Sequence, residues 1–144
     1  MSWAKLLGQY VTAEPTSKAE LDNLRSIVTR SLQDAVAVGL SADARFVMAY
    51  DAARTLSLIV VRSEGYRPRS VGGHYNTFLA LQEADPTFAT LSTYFDGCRM
   101  KRNGCEYDFA GGVSDTDADG LLKAVQQFKI DAEAWMKVHH PNLT

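Results

Sequence analysis

The chain predicts an all-α, up-down antiparallel bundle of four to six helices in a single domain spanning residues 1–144, with no sheet. Three observations lead there. Apolar residues recur at helical spacing in nearly every segment. Serine and aspartate capping signals stand in front of several of those segments. Alternating strand patterns are lacking, and the one run that reads as a buried strand, Leu58-Ile59-Val60-Val61, has no partner run elsewhere.

The first helix is expected from Trp3 to about Ala13, with Trp3, Leu6, Leu7 and Tyr10 on one side, ended by Pro15. Thr16-Ser17 caps the second, with Glu20 at capping-box spacing, and it runs to about Gly39 on a stripe of Leu21, Leu24, Val28, Leu32 and Ala35. Ser41 caps a third, from about Ala42 to Glu64. It is apolar around much of its circumference and therefore central. Gly65 to Gly73 reads as a loop, and His74 to about Glu83 as a short helix. Asp85-Pro86 has the form of an N-cap followed by proline at the first helical position. The helix behind it carries Phe88, Leu91 and Phe95 and is weakened by Gly97 and Gly104. A loop over 108–113 precedes a last helix capped from Ser114 to Asp117, with Leu121, Leu122, Val125, Phe128, Ala132 and Trp135 on its buried face.

At 144 residues the chain is long enough to bury a real core. An apolar fraction of 46% and a charged fraction of 22% are ordinary for a soluble globular protein. A net charge of −2 argues against a general nucleic-acid coat, which needs a basic surplus. A local basic site remains open, because the segment from Arg54 to Arg102 holds seven cations against four carboxylates. Two cysteines, Cys98 and Cys105, make no disulfide framework and lack metal-clip spacing, so free thiols in a reducing cytoplasm are expected. No signal peptide pattern opens the chain, and no apolar run approaches the length that spans a bilayer. Neither a phosphate loop nor a metal-ligand cluster nor a nucleophile elbow is visible, so no cofactor or metal is expected.

The richest stretch is Asp96 to Tyr107. At helical spacing Arg99, Asn103 and Tyr107 share one stripe, with Arg102 on its shoulder and Asp96 one turn before Arg99. Several donors aimed one way suit a phosphate or nucleotide. Each residue also has a plainer reading. Arg99, Lys101 and Arg102 fit a solvated helix end, Asn103 a C-cap before Gly104, and Tyr107 a core phenol. Arg67 and Arg69 flank Pro68 in a loop that needs only to be soluble. His74 follows two glycines, where it can meet an anion or simply start a helix. Tyr50 on the central helix fits the core or a dimer interface.

The order of these features resembles the HEPN family, the nucleotide-binding domains of higher eukaryotes and prokaryotes, over roughly Leu21 to His139. Four pieces carry the resemblance: Ser41 to Ala53 opening the central helix; Gly65-Tyr66-Arg67-Pro68 followed by Gly73 to Phe78; Arg99-Met-Lys-Arg102-Asn103 with Tyr107; and the final helix through Ala124, Phe128 and Ala132. The resemblance implies a helical bundle, usually dimeric, with the motif helices of two copies facing across a cleft. Members with the full motif, an Arg, a polar residue and a His four to six residues after the Arg, are often metal-independent ribonucleases and toxins. Others are partners of small nucleotidyltransferases. Arg102-Asn103 matches the first half, and Tyr107 stands where the His is expected. A phenol titrating near 10 is a poor acid–base group at neutral pH, whereas an arginine still grips phosphate.

The expectation is thus a homodimer binding RNA or a nucleotide, with ribonuclease activity of toxin–antitoxin or defence type open. The resemblance places Arg102, Asn103 and Tyr107 in the catalytic positions, and the basic residues Arg99, Lys101, Arg102, Arg67 and His74 are the candidate ligand contacts. The rival expectations are a non-catalytic partner of a nucleotidyltransferase and a helical interaction module without a ligand.

Overall fold

The computed structural model describes residues 2–104 and 112–144. Among the described residues six helices build an all-α bundle: α1 (Trp3–Leu6), α2 (Lys18–Ala35), α3 (Ala42–Ser63), α4 (Gly73–Ala84), α5 (Ala89–Asn103) and α6 (Asp115–His139). The caps sit where the local sequence puts them. Ser17 accepts from the Glu20 amide, Ser41 from Ala44, and Ser114 from Asp117, whose carboxylate accepts in return from the Ser114 amide. Asp85 accepts from the Thr87 amide and starts a 3-10 turn, Pro86–Phe88, that leads into α5.

Central helix α3 packs against α2 on one side and α6 on the other, with α4 and α5 closing the bundle. Ala49, Tyr50, Ala53, Leu56, Ile59 and Val60 of α3 are all buried. A chain of aromatic rings crosses the core, Phe78 to Phe95 at 5.8 Å, Phe95 to Phe128 at 5.6 Å and Phe128 to Phe88 at 5.6 Å between centroids. The Phe88–Phe128 pair is edge-to-face and the other two are tilted; aromatic pairs add about 0.5–1.5 kcal/mol each beyond area burial.

Three expectations need correction. The first helix stops at Leu6, not Ala13. Gly8 takes φ +90°, a conformation that favours glycine, and turns the chain into strand β1 (Val11–Ala13). The sheetless expectation falls with it. β1 pairs antiparallel with β2 (Tyr66–Pro68), inside the segment expected as plain loop, with Val11 opposite Pro68 and Ala13 opposite Tyr66. Pro68 costs little there, since a two-stranded ribbon is all edge. The ribbon is held by a small second core of Leu6, Val11, Val61 and Ala80, and Trp3 stacks on Tyr66 at 4.1 Å. Helix α2 also ends earlier than expected, at Ala35, because Val36 and Val38 face solvent and gain nothing from another turn. Among the described residues no helix is long and apolar enough to cross a membrane.

Candidate functional site

Tyr50, Arg54, Leu58 and Arg62 lie four residues apart on α3, so they form one stripe along that helix. At its upper end Tyr50 is fully buried, and its hydroxyl lies 3.0 Å from Nδ1 of His74, in the first turn of α4. The chain reaches that turn through Gly72, whose φ of +71° bends the loop. Asn76 pins the loop by donating to the carbonyls of Arg69 and Val71, at 3.1 and 2.9 Å.

Three guanidiniums surround the Tyr50–His74 pair. Arg102 of α5 lies over the Tyr50 ring at 5.6 Å, and Arg99 lies over the Tyr75 ring at 5.9 Å. Arg54 comes from α3, and its Nε is buried without a hydrogen-bond partner among the described residues. Burial, then the charges of Arg54, Arg102 and Arg99, push His74 down to about 4. Burial likewise raises Tyr50 above its ordinary value, although the same arginines oppose the rise. At neutral pH the pair is therefore a neutral imidazole bonded to a protonated phenol. A Tyr50 O–H donated to Nδ1 leaves the ring proton on Nε2.

Below this pair a cleft of about 740 Å³ opens between the ribbon, α2, α3 and the start of α4. Arg54, Arg62, Arg67, Arg69 and His74 line it, with Leu24, Leu58 and Pro68 as apolar surface. Arg62 is only 2% exposed and is spent on structure. Its Nε donates to Glu20 at 2.9 Å, and its terminal nitrogens reach the carbonyls of Glu14, Pro15 and Tyr66. Arg67 is exposed and lies 3.4 Å from Glu14, and Arg69 donates to the Gly8 carbonyl.

The expected site residues thus divide. Arg99, Arg102 and His74 gather around Tyr50, while Arg67 lies on the cleft wall. Arg99 is also paired with Asp96 at 2.7 Å. Lys101 turns to the start of α6, where it pairs with Asp117 at 3.0 Å. Asn103 is the last residue of α5 and is partly buried. Tyr107, Cys105 and most of the loop expected over 108–113 lie outside the described residues. Cys98 is a buried free thiol, pushed up to about 11 by that burial. Among the described residues no group of three or more His, Cys, Asp or Glu side chains is placed to hold a metal ion. Sequence reasoning passed over Arg54, although its four-residue spacing from Tyr50 and Leu58 was visible. Compared with family models, curated proteins and solved structures, the chain matches none.

Proposed function

We propose that this protein binds the phosphates of a nucleotide or RNA strand at the arginine cluster around Tyr50 and His74. One observation carries the reading: Arg54, Arg99 and Arg102, from two different helices, bring three positive charges to bear on a single half-buried histidine. Such convergence is unfavourable for the empty protein, since like charges repel and the imidazole is held neutral. A phosphate relieves it, and guanidiniums meet phosphate oxygens with paired hydrogen bonds. The net charge of −2 fits a confined anion site better than a general nucleic-acid coat. Resemblance to the HEPN motif through Arg102-Asn103 points the same way. A symmetric dimer belongs to this reading. Open hollows along α5 and α6 share Tyr94 and Gly120 and expose the apolar side chains of Tyr94 and Ile130.

Titration of wild type and Arg102→Ala with a short single-stranded RNA tests the proposal. Loss of a charge-assisted bond should weaken binding by about 1.5–3 kcal/mol. Melting temperature, measured beside the titration, separates loss of a ligand contact from loss of the packing of Arg102 over the Tyr50 ring. Undiminished RNA binding by the variant would return Arg102 to the role of a solvated helix end. Incubation with RNA in the presence of chelator reads cleavage in the same experiment; activity lost in Tyr107→Phe would assign the phenol to the chemistry.

A further inference from the structure

We infer that the cleft between the ribbon and helices α2–α4 is a nucleoside 5′-phosphate subsite, continuous with the arginine cluster through Arg54 and His74. The inference rests on the phosphate-binding reading above and names the unit bound beside it. Three features of the cleft support it. Its volume, about 740 Å³, lies within the roughly 300–1,000 Å³ typical of small-molecule sites. Its cations are unevenly committed. Arg62 is saturated by Glu20 and three carbonyls, and Arg67 is shared with Glu14. Arg69 donates to the neutral Gly8 carbonyl, and Arg54 keeps a buried Nε without a hydrogen-bond partner among the described residues. A phosphate in the cleft would meet the guanidinium groups of Arg54 and Arg69 with charge-assisted hydrogen bonds.

The third feature separates a nucleotide from a bare anion. Leu24, Leu58 and Pro68 present apolar surface in the same cleft, and Thr12 and Asn23 add hydrogen-bonding groups on the ribbon and α2 sides. A phosphate has no use for apolar walls. A base does, with its edge satisfied by polar groups at the rim. The cations and the apolar wall therefore call for a ligand with one charged end and one flat, weakly polar end. Such a unit is either a free mononucleotide or one residue of an RNA strand whose next phosphate lies at Arg99 and Arg102.

Calorimetric titration with adenosine 5′-monophosphate, inorganic phosphate and a six-nucleotide RNA tests this on wild type, Arg67→Gln/Arg69→Gln, Asn23→Trp and Arg102→Ala. Adenosine monophosphate should bind wild type at least tenfold more tightly than inorganic phosphate, and at least tenfold more weakly in the double arginine variant. Asn23→Trp should give the same loss. It places bulk at an exposed rim position, so it decides the matter if removing Arg69 from the Gly8 carbonyl unfolds the ribbon. Arg102→Ala should change mononucleotide affinity less than threefold while weakening RNA. RNA binding tighter than the mononucleotide and reduced in the cleft variants identifies a strand as the source. Equal affinities identify a free nucleotide, and either supports the subsite. No measurable mononucleotide binding, affinity unchanged in the cleft variants, or phosphate binding as tightly as the nucleotide overturns it. Full RNA affinity in Arg102→Ala together with losses in the cleft variants refutes the cluster reading alone and leaves the subsite standing.

Discussion

His74 couples the site to pH. Its folded value near 4 lies below the ordinary value near 6.5, so the unfolded chain takes up a proton first as pH falls. Stability from the neutral imidazole is therefore complete above about pH 6.5 and is lost as pH drops toward 4. The melting temperature of wild type should fall between pH 6.5 and 4.5, and that of His74→Gln should fall less. Equal slopes for the two proteins would rule out His74 as the source. This window sits above the range where the depressed carboxylates, among them Asp85 and Asp117, begin to protonate. Arg62 makes a different kind of contribution. Through four acceptors it ties α3 to Glu20 of α2, to the residue pair Glu14-Pro15 and to Tyr66 of the ribbon. Arg62→Ala should cost about 3 kcal/mol in chemical denaturation, since it strips a buried charge from partners arranged around it. Arg62→Lys should recover little, because an ammonium cannot reproduce the planar fork. Near-complete rescue by lysine would show that the charge matters and the geometry does not.

Helix α6 owes its starting point to local chemistry. Ser114 and Asp117 form a reciprocal capping box, and Asp117 also receives Lys101 from α5. Arg45 of α3 reaches Asp115 and Asp119 at 2.7 and 2.5 Å, so the negative first turn of α6 is clamped to the central helix. Ser114→Ala should lower stability by about 1 kcal/mol, the usual loss for an N-cap, read from the denaturation midpoint. A change within error would mean that the Arg45 contacts alone hold the end. The α1–β1 segment shows the opposite case. Trp3, Leu6, Leu7 and Tyr10 have helical spacing, yet only one turn of helix forms. Gly8 breaks it, and the strand that follows is held by hydrogen bonds to a segment more than fifty residues away.

As a body, the protein is an all-α bundle with Arg54, Arg62, Arg67, Arg69 and His74 gathered around one cleft beside α3. The α5–α6 side is different. It is open and partly apolar, with hollows bounded by Phe88, Leu91, Tyr94, Phe128 and Trp135. A second copy seated there should appear as a species near twice the 15.8 kDa chain mass in sedimentation velocity at micromolar concentration. A stable dimer needs more than roughly 1,000 Å² of buried surface. A charge at Ile130, which is 65% exposed on α6, should then shift the population toward monomer without altering the melting of the monomer itself. Only the single-chain mass across the concentration range would remove the dimer from the proposed reading.

Helix class, number and most helix starts were legible in the residue order, because they rest on interactions within about four residues. Ser17, Ser41, Asp85 and Ser114 cap what they precede, and the apolar stripes of α2, α3 and α6 repeat at helical period. The cluster of Arg99 and Arg102 was visible for the same reason, as neighbours on one helix. What surrounds them was not. The bond from Tyr50 to His74 spans 24 positions and that from Arg62 to Glu20 spans 42, and the ribbon joins β1 to β2 across the whole of α2 and α3. Whether an arginine is a saturated strut like Arg62 or a cleft-lining residue with an unpaired Nε among the described residues, like Arg54, depends on which carbonyls and carboxylates packing brings to it. Periodicity places a side chain on a face of its own helix. The partner that face meets, and hence the burial, charge and protonation of each site residue, is set by how the helices pack against one another.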